Sequence, residues 1–313
     1  MPGTRDKKRF PHRTRCLTLD MFPELNKYVG ADRDLYGILR KALYGCVQAS
    51  KLWFLKLTKF LRIVGYESSE VEPCTFRKVE GDGVFLLVVY VDDILIIALS
   101  EEISRFHQHF VDEFQWVTLD VGNKQSYLGM QIEFFERMVQ IDMRSFIEKI
   151  LVWCDDHLTC YQGPGKKDLF TIAEESALGE KIRRKWHTIV AKLLYLAKRA
   201  RPDILTVVSF LCIRVKGPTN DDQRKLLYLL GYLSNTKERL LILAPQKMFY
   251  IEAYVDASFV THMDGKSHMD VFMKIGGVGV YFASRKQKCV SKSPTEAELI
   301  ALPDNVGFCG TIP

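Results

Sequence analysis

Two adjacent carboxylates, Asp92 and Asp93, lie inside the most apolar run of the chain, VFLLVVYVDDILIIAL at residues 84–99. The run does not fit a membrane span, because an ionised carboxylate at the bilayer centre costs roughly 2.5–3.5 kcal/mol. Its apolar residue types show little helical periodicity and predict two buried strands joined at the aspartates. Carboxylates at a hairpin tip can bind a hard cation such as Mg²⁺. Aspartate is also a common turn residue, so the pair alone leaves a plain turn open.

Two more carboxylates, Asp256 and Glu298, stand near the C-terminus in a pattern of strands and a helix. The segment FYIEAYVDASFV, residues 249–260, predicts a strand with Asp256 at its centre. The next apolar segment, DVFMKIGGVGVYFAS, predicts two strands joined through its Gly-Gly pair at 276–277. Glu298 lies in the first turns of a following helix, where it could face the strand of Asp256 or be an ordinary surface glutamate.

The start of that helix is signalled by its own residues. The segment KCVSKSPTEAELIAL, residues 288–302, predicts a short strand that enters a helix. Ser293 as N-cap, Pro294 at the first helical position and Glu296 at the third form the pattern of a capping box. Glu296 therefore has a structural role, whereas spacing gives Glu298 none.

The segments around the acidic pair predict a mixed α+β domain that ends near residue 153. Helical spacing runs from about Ala49 to Val64 and ends at Gly65, and residues 101–115 predict a second helix. SYLGMQIEFF and MVQIDM then predict two short strands around a Glu-Arg turn. The loop-rich residues 160–180 predict a linker to the next helical segment.

A helix with a one-signed basic face is predicted over residues 181–201. At about 100° per residue, four basic side chains fall on one side: Lys181, Lys185, Lys192 and Arg199. The opposite side carries an apolar stripe: Trp186, Ile189, Val190, Leu193, Leu196 and Ala197. Pro202 should end the helix. Such a basic face can bind a phosphate backbone through counterion release, or it can be a solvated surface.

The totals of the chain exclude some classes of protein. Its 313 residues, 47% hydrophobic and 26% charged, have an ordinary soluble composition with room for two or three domains. Residues 1–15 hold a surplus of basic residues, which predicts a disordered arm that touches nucleic acid or is simply solvated. This arm lacks the apolar segment of a secretory signal, and eight cysteines without a C-x-x-C pair predict free thiols. We expect an intracellular protein that is neither secreted nor membrane-bound.

An ordered series of short motifs runs from about Cys16 to the C-terminus. The motifs are KALYGCVQASKLWF (41–54), YVDD (90–93), SYLGM (126–130), VAKLLYLAKRARPDI (190–204), AYVDAS (253–258), KSH (266–268), SRKQK (284–288) and TEAELIAL (295–302). A lone YVDD is weak evidence, whereas this series in this order is specific. Together the motifs resemble the polymerase of copia-type LTR retrotransposons.

The resemblance implies three parts after a basic tail at residues 1–15. An incomplete polymerase palm and fingers, with a mixed or antiparallel sheet and helices, would span 16–153, and a helical thumb and connection would span 154–250. The first part of an α/β ribonuclease H-like domain would span 251–313. The implied activity is RNA-directed DNA polymerisation. Its partners would be an RNA template, a DNA primer, the RNA–DNA hybrid, deoxynucleoside triphosphates and other products of a polyprotein. The implied location is a cytoplasmic particle, the nucleus or both.

Roles for individual residues are also implied by the resemblance. In such a palm Asp92 and Asp93 bind two Mg²⁺ ions, or Mn²⁺, for nucleotidyl transfer, and Asp256 and Glu298 match the first two carboxylates of the ribonuclease H metal site. The other implied roles are nucleotide and template contacts for Gly45, Gln48 and Tyr90, a primer grip for Leu128, Gly129 and Met130, and backbone contacts for Lys181, Lys185, Lys192 and Arg199.

The resemblance implies further ligands that the sequence does not match. The family's palm uses a third carboxylate from an upstream strand, but Asp20, Asp32 and Asp34 lie in a stretch that resembles a non-catalytic region. A ribonuclease H site uses four acidic residues, and the chain ends at Pro313 before the third. We therefore expect a polymerase fragment with weak or no activity. The alternatives are a nucleic-acid-binding fragment without catalysis and a generic metal-dependent phosphohydrolase.

Overall fold

A computed structural model describes residues 7–9, 19–29, 36–38, 47–153, 158–246 and 250–302. These residues form a mixed α+β structure with antiparallel sheets, which confirms the predicted α+β class. The chain divides into two compact units, residues 1–118 and 119–313. The predicted boundaries at residues 153 and 250 both fall inside the second unit. The division into palm, thumb and ribonuclease H parts stays a prediction.

The first unit contains two antiparallel sheets, two long α-helices and a 3-10 helix, Pro23–Tyr28, among its described residues. Strand β1 (Lys7–Arg9) pairs with β2 (Tyr36–Ile38), so three residues of the predicted disordered arm form a strand; the rest of residues 1–15 lies outside the described residues. The larger sheet and the helices are α1 (Val47–Ile63), β3 (Glu67–Ser68), β4 (Thr75–Glu80), β5 (Gly83–Tyr90), β6 (Asp93–Ile97) and α2 (Ser100–Phe114). The four strands lie side by side in chain order.

Both long helices of the first unit lie where the sequence predicts them. Helix α1 ends two residues before Gly65, whose φ of +91° is a left-handed conformation that glycine adopts without strain. Leu57 and Leu61 of α1 pack with Phe106 and Phe110 of α2 in one core. The sheet completes that core from the other side.

Only one face of the apolar run at residues 84–99 is buried, so the prediction of fully buried strands is wrong. Phe85, Leu87 and Val89 of β5 belong to the core shared with α1 and α2. The alternate residues face away from it, and Val84 is 60% exposed and Leu86 41% exposed. An antiparallel sheet can have helices on one face only, and apolar residue types on both faces do not reveal which face they cover.

The second unit contains two sheets and five α-helices among its described residues. The first sheet has the order β10-β9-β8-β7, and four helices lie between β9 and β10 along the chain. These elements are β7 (Lys124–Tyr127), β8 (Met130–Phe134), β9 (Val139–Asp142), α3 (Arg144–Leu151), α4 (Glu180–Arg199), α5 (Leu205–Arg214), α6 (Asn220–Asn235) and β10 (Leu241–Leu243). The second sheet is formed by β11 (Ile251–Ser258), β12 (His268–Ile275) and β13 (Val278–Lys286), and α7 (Pro294–Ala301) packs on β11.

Helix α4 buries the stripe that the sequence predicts. All six apolar residues of the stripe lie in the core of the second unit, between 0% and 5% exposed. The helix ends at Arg199, and Pro202 begins a short 3-10 turn. Helix α5, which the sequence analysis did not predict, comes directly after this turn. Its segment LTVVSFLCIR is apolar on nearly all sides, and half of its side chains are buried.

Two strand predictions in the second unit are wrong. The segment predicted as one strand over residues 126–135 is the hairpin β7–β8, because the residues at 128 and 129 both have positive φ and form a turn. Residues 288–292, which the structure describes, are not a strand. There Ser291 donates to Gln287 Oε1, and Gln287 Nε2 donates to the Ala297 carbonyl at 2.7 Å, which ties this segment to α7.

The predicted capping box of α7 is half formed. Ser293 Oγ accepts a hydrogen bond from the Glu296 amide at 3.1 Å, as predicted. The Glu296 carboxylate, however, accepts from the Lys292 amide at 2.6 Å, one residue before the N-cap. Glu296 is thus used structurally, and Glu298 is left for other contacts.

Two further features of the described residues are the hydropathy of their helices and the state of their cysteines. No helix among them has both the length and the apolar composition that crossing a bilayer requires. The cysteines described there are free thiols, as predicted: Cys74, Cys160, Cys212 and Cys289.

Candidate active site

Asp92 and Asp93 lie at the exposed tip of an antiparallel hairpin, as the sequence predicts. Strand β5 ends at Tyr90, β6 begins at Asp93, and these two residues pair across a two-residue turn formed by Val91 and Asp92. Both carboxylates are exposed. The buried residues of β5 attach the hairpin to the core, so the tip is held at the end of a rigid support.

The turn itself has an unusual backbone. Val91 has a φ of +58°, a left-handed value that is rare and strained for a β-branched residue. Its carbonyl oxygen accepts a hydrogen bond from Trp53 Nε1 at 2.6 Å. The sequence analysis did not single out Trp53, although it lies in the KALYGCVQASKLWF motif, because 38 residues separate the two partners.

The residues predicted to contact nucleotide and template are described in part. Tyr90 is 51% exposed at the end of β5, beside the acidic tip. Gln48 is exposed in the first turn of α1. Gly45 lies outside the described residues.

The predicted primer-grip residues form a second two-residue turn, in the second unit. Leu128 and Gly129 have φ values of +51° and +75°, the pattern of a type I′ hairpin turn, and Met130 is buried at the start of β8. Tyr195 of α4 donates its hydroxyl hydrogen to the Leu128 carbonyl. The turn is therefore attached to the helix that carries the basic face.

That basic face combines cations with aromatic rings. Lys181, Lys185 and Arg199 are exposed, and Lys192 is half-buried because its ammonium group lies 4.9 Å from the Trp153 ring centre. Lys185 lies 6.0 Å from the same ring, and the Arg199 guanidinium lies 5.3 Å from the Tyr195 ring.

A shallow cleft of 520 Å³ lies on this face of the second unit, lined by Phe146, His187, Thr188, Ala191, Lys192 and Tyr195. Basic groups interleaved with aromatic rings are typical of single-strand nucleic-acid surfaces.

Glu298, the second of the C-terminal carboxylates, contacts the strand that carries Asp256. Asp256 is exposed on β11, and Glu298 on α7 accepts a hydrogen bond from the Ala257 amide at 3.1 Å. Glu298 thus faces the strand of Asp256, as the sequence analysis considered. Asp256 is also directly opposite Asp270 of β12, a residue that the sequence analysis missed because strand register over a long connection cannot be read from spacing. Asp270 accepts from Thr206 Oγ1 at 3.2 Å.

Comparison with known proteins gives this geometry a family context. Residues 28–162, which include the hairpin, match the family model described as reverse transcriptase (RNA-dependent DNA polymerase). The chain is 27% identical over 276 residues to the retrovirus-related Pol polyprotein from transposon TNT 1-94 of Nicotiana tabacum, a match that covers 84% of this chain and 20% of the relative. The chain is related to the polymerases of copia-type retrotransposons.

Two further relatives are similar to this chain at nearly the same identity. The Pol polyprotein from transposon RE2 of Arabidopsis thaliana is 27% identical over 286 residues, covering 87% of this chain and 19% of the relative. A putative transposon Ty5-1 protein of Saccharomyces cerevisiae is 28% identical over 280 residues, covering 87% of this chain and 88% of the relative. The chain spans about a fifth of the length of the Pol polyproteins it matches. No solved structure matches it.

Some residues of the retrotransposon motifs have structural roles in this chain. Arg201, in VAKLLYLAKRARPDI, is 2% exposed and pairs through two nitrogens with Asp203, at 2.9 and 2.8 Å. It also donates to the carbonyl and hydroxyl oxygens of Thr236. Tyr232 donates its hydroxyl hydrogen to Asp203 at 2.7 Å. Arg201 therefore joins α6 to the end of α4 and does not belong to the basic face.

The KSH motif is likewise part of a buried polar network. Ser267 Oγ accepts from the Val260 amide at 3.2 Å. His268 Nδ1 lies 3.1 Å from His262 Nε2, and His268 Nε2 lies 2.8 Å from Ser284 Oγ. Both imidazoles are less than 10% exposed and contact the Phe170 ring. Burial lowers the pKa of His262 to about 4 and also lowers the pKa of His268.

We expect this histidine pair to make the second unit lose stability as the pH falls from 7 to 5. Because the folded-state pKa of His262 is below that of the unfolded chain, the unfolded chain binds more protons between pH 6.5 and 4. The free energy of unfolding therefore falls as pH falls through this window, by about 2 kcal/mol from His262. Lys286, Asp264 and Asp270 are the charged groups around the pair.

Urea unfolding at pH 7 and pH 5 measures the effect. The variant His262→Phe should show a smaller loss between the two pH values than the parent chain. His187→Ala, an exposed histidine on α4, serves as the matched control and should behave like the parent. Equal pH dependence of His262→Phe and the parent would contradict the assignment.

Proposed function

We propose that this chain is a reverse transcriptase segment whose nucleotidyl-transfer site is the tip of the β5–β6 hairpin. One observation carries the proposal: Asp92 and Asp93 are both exposed at the end of a hairpin anchored in a core, inside the residues that match the reverse transcriptase family. Phosphoryl transfer depends on positioning charge precisely around the phosphates, and a rigid hairpin tip supplies that positioning.

The donor set at the tip is compatible with Mg²⁺, or with Mn²⁺ in its place. Magnesium is commonly held by one or two carboxylates together with water and substrate phosphates, and Asp92 and Asp93 provide two exposed carboxylates. When bound, a metal pair neutralises the phosphates and stabilises the attacking and leaving oxygens. The chain's own part is to present the two carboxylates, with Tyr90, Gly45 and Gln48 proposed to contact the nucleotide and template.

Nucleic acid would be held by the second unit. We assign the backbone contacts to Lys181, Lys185, Lys192 and Arg199, because no acidic residue follows Glu180 within α4 and a basic face attracts phosphates. The turn at Leu128, Gly129 and Met130 is the proposed primer grip, and its bond from Tyr195 attaches it to the same helix. The bases of a strand lying here could stack on the exposed part of Trp153.

Ribonuclease H chemistry is a second part of the proposal, centred on Asp256 and Glu298. Glu298 is already bonded to the amide next to Asp256, which supports their acting on one site. No group of three or more histidine, cysteine, aspartate or glutamate side chains within the described residues is arranged to hold a metal. We therefore propose that turnover by this chain is weak or absent at both sites. The basic face favours nucleic-acid binding without catalysis as the second candidate function.

Nucleotide binding and primer extension together test the proposal. We expect the chain to bind Mn²⁺ with a deoxynucleoside triphosphate, measured by electron paramagnetic resonance, and Asp92→Asn to weaken this binding at least about tenfold, since it removes a charged ligand. Given primed RNA template, deoxynucleotides and Mg²⁺ or Mn²⁺, it should extend primers barely or not at all.

Asp82→Asn is the matched control, because Asp82 is an exposed aspartate in the turn at the opposite end of β5. It should bind Mn²⁺ and nucleotide like the parent chain. If Asp92→Asn and Asp82→Asn bind equally well, the hairpin tip is not the nucleotide site. Robust extension that Asp92→Ala abolishes would show instead that two carboxylates suffice for turnover.

A further inference from the structure

The backbone of the hairpin tip needs an explanation that the two aspartates do not supply. Val91 has positive φ and Asp92 does not, which is the φ pattern of a type II′ turn. Glycine is the usual residue at the first central position of that turn, and a β-branched residue there is strained. Val91 is also 58% exposed, so its side chain gains little from burial in return.

Trp53 provides the contact that holds this turn. Its Nε1–H donates to the Val91 carbonyl at 2.6 Å. The ring is itself fixed, because it packs edge to face on Phe114 at 5.2 Å, and Phe114 contacts Phe60 at 5.3 Å and Phe110 at 4.5 Å. Phe60 and Phe110 belong to the core of the first unit. The hydrogen-bond donor is thus packed against the core of the unit.

The Val91 carbonyl oxygen, which accepts this hydrogen bond, belongs to the peptide that joins Val91 to Asp92. The Val91 carbonyl and the Asp92 amide belong to a single planar peptide. Type I′ and type II′ turns differ in the orientation of this central peptide, so rotating it changes the direction in which the Asp92 side chain leaves the backbone. A donor attached to the core and aimed at this oxygen selects one of the two orientations.

We propose that Trp53 is a positioning residue that locks the 91–92 peptide and so sets the direction of the Asp92 carboxylate. This inference rests on the proposed function, in which Asp92 holds the metal and nucleotide. Trp53 acts through the turn and does not touch substrate. The strain at Val91 persists because this hydrogen bond and the paired strands over-determine the turn.

Hydrogen exchange of the full-length chain, followed by nuclear magnetic resonance, tests the lock directly. In the parent, the indole hydrogen of Trp53 should exchange with D₂O at least about tenfold more slowly than that of Trp116, which is 92% exposed and serves as an internal reference. Equal exchange of the two indole hydrogens would overturn the proposal without any variant being needed.

Trp53→Phe removes the donor and keeps an aromatic ring. We expect the amides of Asp92 and Asp93 to exchange several-fold faster, up to about tenfold, as loss of one hydrogen bond predicts. Core amides such as those of Leu61 and Phe106 should keep their exchange rates. If Trp53 only stabilised the fold, these core amides would exchange faster as well. Trp116→Phe is the matched control and should change neither set. Unchanged exchange at residues 92 and 93 in Trp53→Phe would overturn the lock.

Binding of Mn²⁺ with a deoxynucleoside triphosphate separates this proposal from the one on which it rests. If Trp53 positions Asp92, Trp53→Phe should weaken this binding several-fold, while Trp116→Phe leaves it as in the parent. Unaltered binding in Trp53→Phe would show that the lock has no effect on the metal ligand. If the parent itself fails to bind, the proposed function fails, and the exchange data alone decide whether Trp53 locks the turn.

Discussion

Replacing Glu102 by alanine should lower the free energy of unfolding of the first unit by about 3 kcal/mol, the loss typical of breaking a buried ion pair. Glu102 is 2% exposed on α2, and its Oε1 accepts from Tyr66 Oη at 3.0 Å and from Lys78 Nζ at 2.9 Å. Its Oε2 lies 2.8 Å from an Arg105 nitrogen. Without the carboxylate, the Tyr66 hydroxyl is buried with no acceptor and the Lys78 ammonium loses its nearest counter-charge.

Urea unfolding at pH 7 measures this loss. The neighbouring Glu101→Ala is the matched control, because Glu101 is exposed on the same turn of α2, and it should change the free energy by less than about 0.5 kcal/mol. Glu102→Gln keeps an acceptor for Tyr66 and should give an intermediate loss. A Glu102→Ala chain as stable as Glu101→Ala would mean that water or Glu80, which also pairs with Lys78 and Arg105, compensates for the missing carboxylate.

The same network illustrates what the sequence could not reveal. Burial, together with the hydrogen bond to Glu102, raises the pKa of Tyr66 above its usual range, so this tyrosine belongs to the core and stays neutral. The members of this network come from three elements: Tyr66 from the loop after α1, Lys78 from β4 and Glu102 from α2. Local spacing predicts each element but not which polar side chains meet between them, because that depends on how the elements pack.

The features that were predicted correctly depend on local signals. The hairpin at residues 92 and 93 is predicted by an apolar run interrupted by two charges, and the buried stripe of α4 is predicted by helical periodicity. The sequence predicted a helix that reaches residue 201, yet Arg201 lies past the helix end and is buried against Asp203. Periodicity assigns a face only while the helix continues.

The candidate site was predicted less completely than the fold around it. The exposure of Asp92 and Asp93 and the approach of Glu298 to the Asp256 strand agree with the sequence analysis. Trp53 and Asp270 were missed, because each acts through a partner distant in sequence. The roles of these residues in catalysis stay predictions.

Binding of an RNA–DNA hybrid should weaken on the order of 100-fold when salt rises from 50 to 200 mM. Four basic residues on the face of α4 would neutralise about four phosphates, and each neutralised phosphate contributes about −0.9 to the slope of log affinity against log salt. Lys185→Ala combined with Lys192→Ala should therefore reduce the steepness of this slope by about 2 and weaken binding at low salt. Fluorescence anisotropy with a labelled hybrid measures both quantities.

Two comparisons separate charge from packing in that experiment. Lys167→Ala combined with Lys288→Ala removes two exposed lysines outside the α4 face, so it should leave binding close to the parent if the face is specific. Trp153→Ala removes the ring that Lys185 and Lys192 approach but removes no charge, so it should keep the salt slope even if affinity falls through lost stacking. Salt-insensitive binding, or equal losses in the two lysine pairs, would contradict the assignment of this face to the phosphate backbone.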